Sequence, residues 1–341
     1  MSNPQAAGGP PLDKVLMQMG TGYWVSMSLH LAAKLGIADL IAGGTKSVDD
    51  LALKTGMHAQ SLYRLLRALA SVGVFAEQGE RSFVLTPLAE FLRGDAPKSM
   101  RSVLIMMGEE HFRTWADLEY SIRTGKPAFD KVFGKPVFEH IAGDPRSAKI
   151  FDEAMVGIHG QETLAMLEAY DFSGITTLAD IGGGNGSLLT ATLQRYPKLR
   201  GLLYDRPHVV ERAKPLIQQA GVADRCAVAG GSFFESIPGG ADAYLMRHII
   251  HDWNDQQSKT ILSNVRKVIP PNGKLLLVET VIPAGNEPNF AKLLDLNMLV
   301  LPGGQERTEK EYRALFDATG FKLNRIVPTK GGIDVIEALP I

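Results

Sequence analysis

The run LADIGGGNGSLL, residues 178–189, followed by GLLYD ending at Asp205, constrains the fold of this 341-residue chain more than any other stretch. It reads as a buried strand, a glycine loop, a helix, a second strand and then an acid. The apolar run Thr177–Ile181 suits a covered parallel strand. Gly182, Gly183, Gly184 and Gly186 give positive φ and bare backbone against which a ligand can lie. Ser187–Arg195 then opens a helix whose first N–H groups face that ligand. Asp205, nineteen residues after Gly186, falls where a carboxylate can accept ribose hydroxyls. A purely structural turn is the bland alternative. It is disfavoured because four glycines in five residues destabilise a strand–helix junction unless something needs the space.

The glycine spacing narrows the ligand. A dinucleotide loop places its third glycine a turn into the helix, whereas here the pattern is Gly182-x-Gly184-x-Gly186. No Gly-Lys-Ser/Thr follows, which excludes a triphosphate loop of that type. Near-zero net charge (−1) offers no general attraction for nucleic acid or anionic membrane. The single cysteine, Cys226, excludes an internal disulfide framework and suits a reducing compartment. The start, MSNPQAAGGPPLD, lacks a basic segment and an apolar core, so it reads as a flexible tail and the chain as cytoplasmic. The apolar stretch 25–41 carries His30, Lys34 and Asp39 and is too polar to span a bilayer.

Four segments are expected: a tail over 1–11, a winged-helix-like dimerisation domain over 12–98, a helical connecting region over 99–170 and a catalytic domain over 171–341. Residues 12–42 have helical periodicity. Ser47 and Asp50 resemble a capping box opening the helix Val48–Thr55. Ser61–Val72 puts Leu62, Leu65, Leu66 and Leu69 on one helix face. Val74–Phe75 and Phe83–Leu85, about a Gln78-Gly79-Glu80-Arg81 turn, form a hairpin. Helix, helix, hairpin is a winged-helix order. DNA binding is disfavoured, because residues 28–95 hold seven Lys/Arg against seven Asp/Glu. An oligomer interface fits better, with Met17, Met19, Met27, Met106 and Met107 as apolar surface.

From Thr177 onward strands alternate with helices. Strands are expected at Leu178–Ile181, Gly201–Tyr204, Ala241–Arg247, Lys274–Glu279, Lys322–Pro328 and Gly332–Ala338, and helices at Val209–Gln219, Gln256–Val268 and Glu309–Ala318. This predicts an α/β fold, a doubly wound, mostly parallel Rossmann-like sheet with an antiparallel edge pair and ligand beyond the carboxyl ends of its strands.

A second cluster, AYLMRHIIHDWND over 243–255, places Arg247, His248, His251, Asp252 and Trp253 at the same rim as the glycine loop, with Asn254 capping the next helix. Two histidines at this spacing are a weak metal signal, and no metal is expected. His248, beside Ile249 and Ile250, reads as a satisfied core histidine. Glu279, ending LLLVE, and Glu306, after Gly303-Gly304, can each orient a histidine base. A carboxylate on one ring nitrogen fixes the tautomer and stabilises the cation when the other takes a proton.

LADIGGGNG, LLYDRPHVVERA, GGSFFESIPGGADAYLMRHIIHDWND, LLLVETVIP and DLNMLVLPGGQERTEKEYRALFDATGF, in this order, resemble the small-molecule O-methyltransferases of the caffeate/hydroxyindole type, from about residue 12 to 341. The resemblance implies an S-adenosylmethionine-dependent methyl transfer to a hydroxyl of a small aromatic metabolite, without a metal. It implies that Gly182, Gly183, Gly184 and Gly186 hold the methionine part and Asp205 the ribose. Phe233 would pack on the adenine, and Arg247 would reach the cofactor carboxylate. Ser232 is a departure, offering a hydroxyl where relatives have a carboxylate. It implies His251 as catalytic base, Asp252 as its neighbour at the acceptor, and Glu279 and Glu306 as orienting acids. Trp115, Phe151, Met155, Phe290 and Met298 would line the acceptor pocket, and the N-terminal domain would pair two copies. Two other classes compete: a relative using the cofactor non-catalytically, and a nucleoside-sensing regulator.

Overall fold

The computed structural model describes residues 9–44 and 46–341, so most of the expected tail lies outside the described residues. The chain forms two compact units, one of residues up to 117 with 138–160, the other of 118–137 with 161–341.

In the first unit the expected helical stretch 12–42 is three helices, Leu12–Gly20, Gly22–Lys34 and Ile37–Ala42. Gly36, at φ 66°, makes the second break, in a conformation that costs other residues about 1 kcal/mol. Val48–Thr55 starts as expected, with the Ser47 side chain accepting the Asp50 N–H. Asp50 itself accepts the Ser47 hydroxyl instead of reaching back to the backbone, so the box is only half formed. The next helix, Ala59–Ser71, buries Leu62, Leu66 and Leu69. Strands β1 (Phe75–Glu77) and β2 (Phe83–Leu85) close the hairpin, Phe75 opposite Leu85. Ile37, Leu51, Leu66, Phe75 and Phe83 make one core. Met106 is a correction: it is buried with Val103 and Ala154, so it adds nothing to the apolar surface.

The second unit is a seven-stranded sheet in the order β5-β4-β3-β6-β7-β9-β8. The strands are β3 (Thr177–Ile181), β4 (Arg200–Asp205), β5 (Cys226–Gly230), β6 (Ala243–Arg247), β7 (Lys274–Glu279), β8 (Phe321–Pro328) and β9 (Asp334–Pro340). Strands β3 to β7 pair in parallel, and β9 is antiparallel to both neighbours. Sequence reading missed β5 and the helix Phe290–Val300. Chain direction across the sheet reverses between β3 and β6. That reversal opens a crevice beyond their carboxyl ends. Among the described residues no helix is long and apolar enough to cross a membrane.

Candidate functional site

Two loops meet at that crevice. After β3 the Gly182 N–H donates to the Tyr204 carbonyl at 2.7 Å, and Gly184 N–H donates to Asp205 Oδ2 at 2.9 Å. The acid at the end of β4 therefore already grips the glycine loop. Gly182 has φ 72°, and a Cβ there would lie 2.4 Å from Ile249 Cδ1 and 3.7 Å from Phe233 Cε1. Gly184 has φ 59°, yet its Cβ would meet nothing within 4 Å. Bare backbone bordering open space, beside an acid and an aromatic ring, suits a nucleoside ligand.

Asp180, which sequence reading passed over, is buried under this loop with no hydrogen bond to Oδ2. Burial lifts its carboxyl to about 7 against the pull of Arg247. An acid among the buried apolar residues Leu178, Ala179 and Ile181 was the available signal. This uncompensated acceptor and the open space at Gly184 fit a cofactor that brings an ammonium group and a ribose. Ser232 begins a turn, its carbonyl accepting the N–H groups of Glu235 and Ser236. Phe233 follows, set against Phe234 and Trp253. Arg247, at the end of β6, donates to Thr163 Oγ1 at 2.7 Å, and burial pulls its guanidinium below the usual value.

His251 lies in a short 3₁₀ turn, Ile250–Asp252, directly after β6. Its Nδ1 is 2.6 Å from Glu306 Oε1 and 3.7 Å from Glu279 Oε2, and its Nε2 is 3.5 Å from Asp252 Oδ1. Of the two glutamates, Glu306 is the direct partner. Glu279 Oε1 accepts the N–H groups of Ile249 and Ile250 at 3.2 and 2.9 Å, fixing the turn that carries the imidazole. Burial disfavours a charge on His251, but Glu279, Asp252 and Glu306 together outweigh it and push the imidazole up to about 10. Burial lifts Glu279 to about 7 and Asp252 to about 6, although His251 pulls both down.

His248 is partly buried beside this group with Nε2 2.9 Å from Glu162 Oε2, and its backbone is left-handed at φ 52°. Its ring centroid is 4.9 Å from that of His251. Ligand atoms of His248, His251 and Glu279 lie within 4.8 Å of one another, a spacing a metal ion can bridge. Both imidazoles, however, already face carboxylates, Glu162 and Glu306.

The loop carrying Glu306 is fastened to the His251 segment. Gly304 packs so closely that a Cβ would lie 2.0 Å from the His251 carbonyl oxygen. Gln305 N–H donates to that same oxygen at 2.8 Å. The Glu306 N–H donates to Asp295 Oδ1 at 2.9 Å, tying the loop to the helix Phe290–Val300. Of the expected acceptor residues on that helix, Met298 is buried and Phe290 is 71 % exposed. Trp115, Phe151 and Met155 belong to the first unit, where Phe151 and Met155 pack against Val103, Met106 and Ala154.

An O-methyltransferase domain profile matches residues 115–322, and an O-methyltransferase dimerisation domain profile matches residues 17–95. The chain belongs to the S-adenosylmethionine-dependent O-methyltransferase family. Over 341 residues, covering all of both chains, it is 49 % identical to the phenazine O-methyltransferase PhzM of Lysobacter antibioticus. The crystal structure of LaPhzM superposes with a TM-score of 0.94 over 97 % of this chain and 100 % of that one, at 49 % identity. NcsB1, an O-methyltransferase from neocarzinostatin biosynthesis solved with S-adenosylmethionine and 2-hydroxy-5-methyl naphthoic acid, matches at 0.83. It shares 31 % identity over 93 % of this chain and 96 % of that one.

Proposed function

We propose that this protein methylates a hydroxyl group on a small, flat, fused-ring phenol, with S-adenosylmethionine as donor and His251 as base. The observation that carries the reading is the 2.6 Å contact between His251 Nδ1 and Glu306 Oε1 at the carboxyl rim of the sheet, next to the glycine loop. Gly182, Gly183, Gly184 and Gly186 would hold the methionine part and Asp205 the ribose. Phe233 would flank the adenine, with Ser232 offering only a hydroxyl there, and Asp180 and Arg247 would meet the ammonium and carboxylate ends. When bound, that cofactor supplies a methyl group on a cationic sulfur.

The chain's own residues supply alignment and a proton acceptor. An ordinary imidazole and a phenol near pKa 10 differ by about 3.5 pH units, or about 5 kcal/mol. His251, held at about 10, matches the phenol instead. Glu306 holds Nδ1–H, so Nε2 is the nitrogen that exchanges a proton with the acceptor. At neutral pH in the ligand-free protein the imidazole is charged. A second cation held at the same rim would favour the neutral, base-competent form of His251.

The PhzM relative supports a phenazine-type acceptor as the first to try. Transfer of labelled methyl to a panel of hydroxyphenazines, hydroxynaphthoates, flavonoids and hydroxyindoles tests the reading. Label on a ring hydroxyl of a fused-ring phenol is expected. Label only on nitrogen, or none across the panel, overturns it. Two copies would pair through the N-terminal unit, as its dimerisation profile and the exposed apolar side chains of Leu12–Gly20 support.

A further inference from the structure

Next to Glu306 in sequence stands Arg307, the largest wholly buried side chain among the described residues. A buried guanidinium is costly unless its donors are satisfied, and here all three nitrogens are engaged. Nη1 donates to the carbonyl oxygens of Ile250 (3.1 Å) and Gln305 (3.3 Å). Nη2 donates to the Trp253 carbonyl (3.0 Å), Ser258 Oγ (3.2 Å) and Asp255 Oδ1 (2.9 Å), the last shared with Nε at 3.1 Å. The Arg307 carbonyl in turn accepts the Ile282 N–H at 2.9 Å, anchoring this residue beyond β7.

The acceptors have a pattern. Ile250 and Trp253 bracket His251 and Asp252, and Gln305 precedes Glu306. One rigid, planar group thus grips the main chain on both sides of the imidazole and the loop that brings its carboxylate. Only a guanidinium has the five donors in a fixed fork that this requires; an ammonium has three from a single point.

We propose that Arg307 is a positioning residue that sets the separation of the His251–Glu306 pair, and through it the proton affinity and alignment of the base. It touches neither donor nor acceptor. The proposal rests on His251 being the base for its catalytic consequence, but not for its structural one.

The test compares Arg307→Met, Arg307→Lys and Asp255→Ala with the wild type. Asp255 has a side chain 61 % exposed, so its loss loosens the guanidinium without opening a cavity. Each folded enzyme is measured for S-adenosylmethionine Kd, kcat per cofactor-binding site, acceptor KM and the NMR titration midpoint of the His251 ring. Arg307→Met is expected to lose about 100-fold in kcat, the scale of a misplacement of about 1 Å. KM and Kd should stay within about threefold. The His251 midpoint should fall, because a looser Glu306 supports the cation less. Arg307→Lys should recover part of both effects and Asp255→Ala should show a smaller loss in the same direction.

A purely structural arginine would lower the melting temperature while leaving kcat per site and the His251 midpoint unchanged, and that result overturns the proposal. Should Arg307→Met not fold, Asp255→Ala decides on the same two readouts. Wild-type turnover in His251→Ala would remove the base assignment alone, because the His251 midpoint in Arg307→Met still reports whether Arg307 sets the pair.

Discussion

His251 Nδ1 lies 2.6 Å from Oε1 of Glu306, a residue 55 positions away in the sequence, and both side chains are almost wholly withdrawn from solvent. In a low-dielectric setting such a contact is strong when intact and costly when one partner is removed. His251→Ala is therefore expected to lose about 10²–10⁴-fold in kcat, the usual worth of a positioned base, with cofactor Kd nearly unchanged. Glu306→Gln, which keeps an acceptor but loses the charge, should fall between that variant and wild type. Steady-state kinetics with separate equilibrium binding checks both. Unchanged turnover in either variant removes the assignment.

The charge on His251 makes a pH-dependent expectation with a definite sign. The folded imidazole is raised from 6.5 to about 10 by Glu279, Asp252 and Glu306 against the effect of burial, with His248 the other titratable ring beside it. A raised basic group stabilises the fold fully below its unfolded pKa, and the contribution disappears as pH climbs through its folded value. The melting temperature of His251→Gln should thus trail the wild type most at pH 6 and converge on it as pH passes about 10. A gap that widens toward alkaline pH would contradict the electrostatics.

The same reasoning separates donor from product. With S-adenosylmethionine added, the NMR midpoint of His251 is expected to drop by roughly one to two pH units, since a second positive charge opposes the imidazolium. S-adenosylhomocysteine, with a neutral sulfur, should shift it far less. Equal shifts from the two ligands would show that charge is not what resets the base.

Two glycines of one loop should behave differently. Gly182→Ala meets both a left-handed backbone and Ile249 Cδ1 at 2.4 Å, so it should lower the melting temperature and weaken cofactor binding together. Gly184→Ala meets open space. It should cost stability only about 1 kcal/mol, for positive φ, while raising the cofactor Kd more than tenfold. Calorimetry and thermal melts on the two variants distinguish these outcomes.

The exposed apolar side chains of the first helix give the last expectation. Leu16 and Met17 are 71 % and 65 % exposed, and no residue of Leu12–Gly20 is buried within this chain. Charged substitutions there, Leu16→Asp with Met17→Asp, should convert a dimer into a monomer by light scattering at micromolar concentration. A wild type that is already monomeric would refute the interface.

What the sequence made legible follows from how local each signal is. The glycine loop, Asp205 and His251 sit on contiguous motifs whose spacing alone places them at one rim. Glu279 and Glu306 were both readable as carboxylates near a histidine. Which one touches Nδ1 depends on the path of the Gly303–Arg307 loop, which periodicity does not encode. Strand β5, CAVAG, escaped because alanine and glycine have weak strand preference. The helix Phe290–Val300 escaped because a short, largely apolar run fits a buried strand as well as a helix. Arg307 escaped because a lone arginine in a polar stretch reads as surface. Only the fold reveals that it is buried.

Arg307 and Gln305 grip the His251 segment through the carbonyl oxygens of Ile250, His251 and Trp253, and both also reach the Asp255 carboxylate. The reacting register is therefore written mostly in main-chain atoms, with Asp255 and Ser258 the side chains that steady it. For anyone evolving this scaffold toward another acceptor, that is a practical division of labour. Outward positions such as Phe290 and Leu293 are open to randomisation, while the five residues from Gly303 to Arg307 should be left as they are.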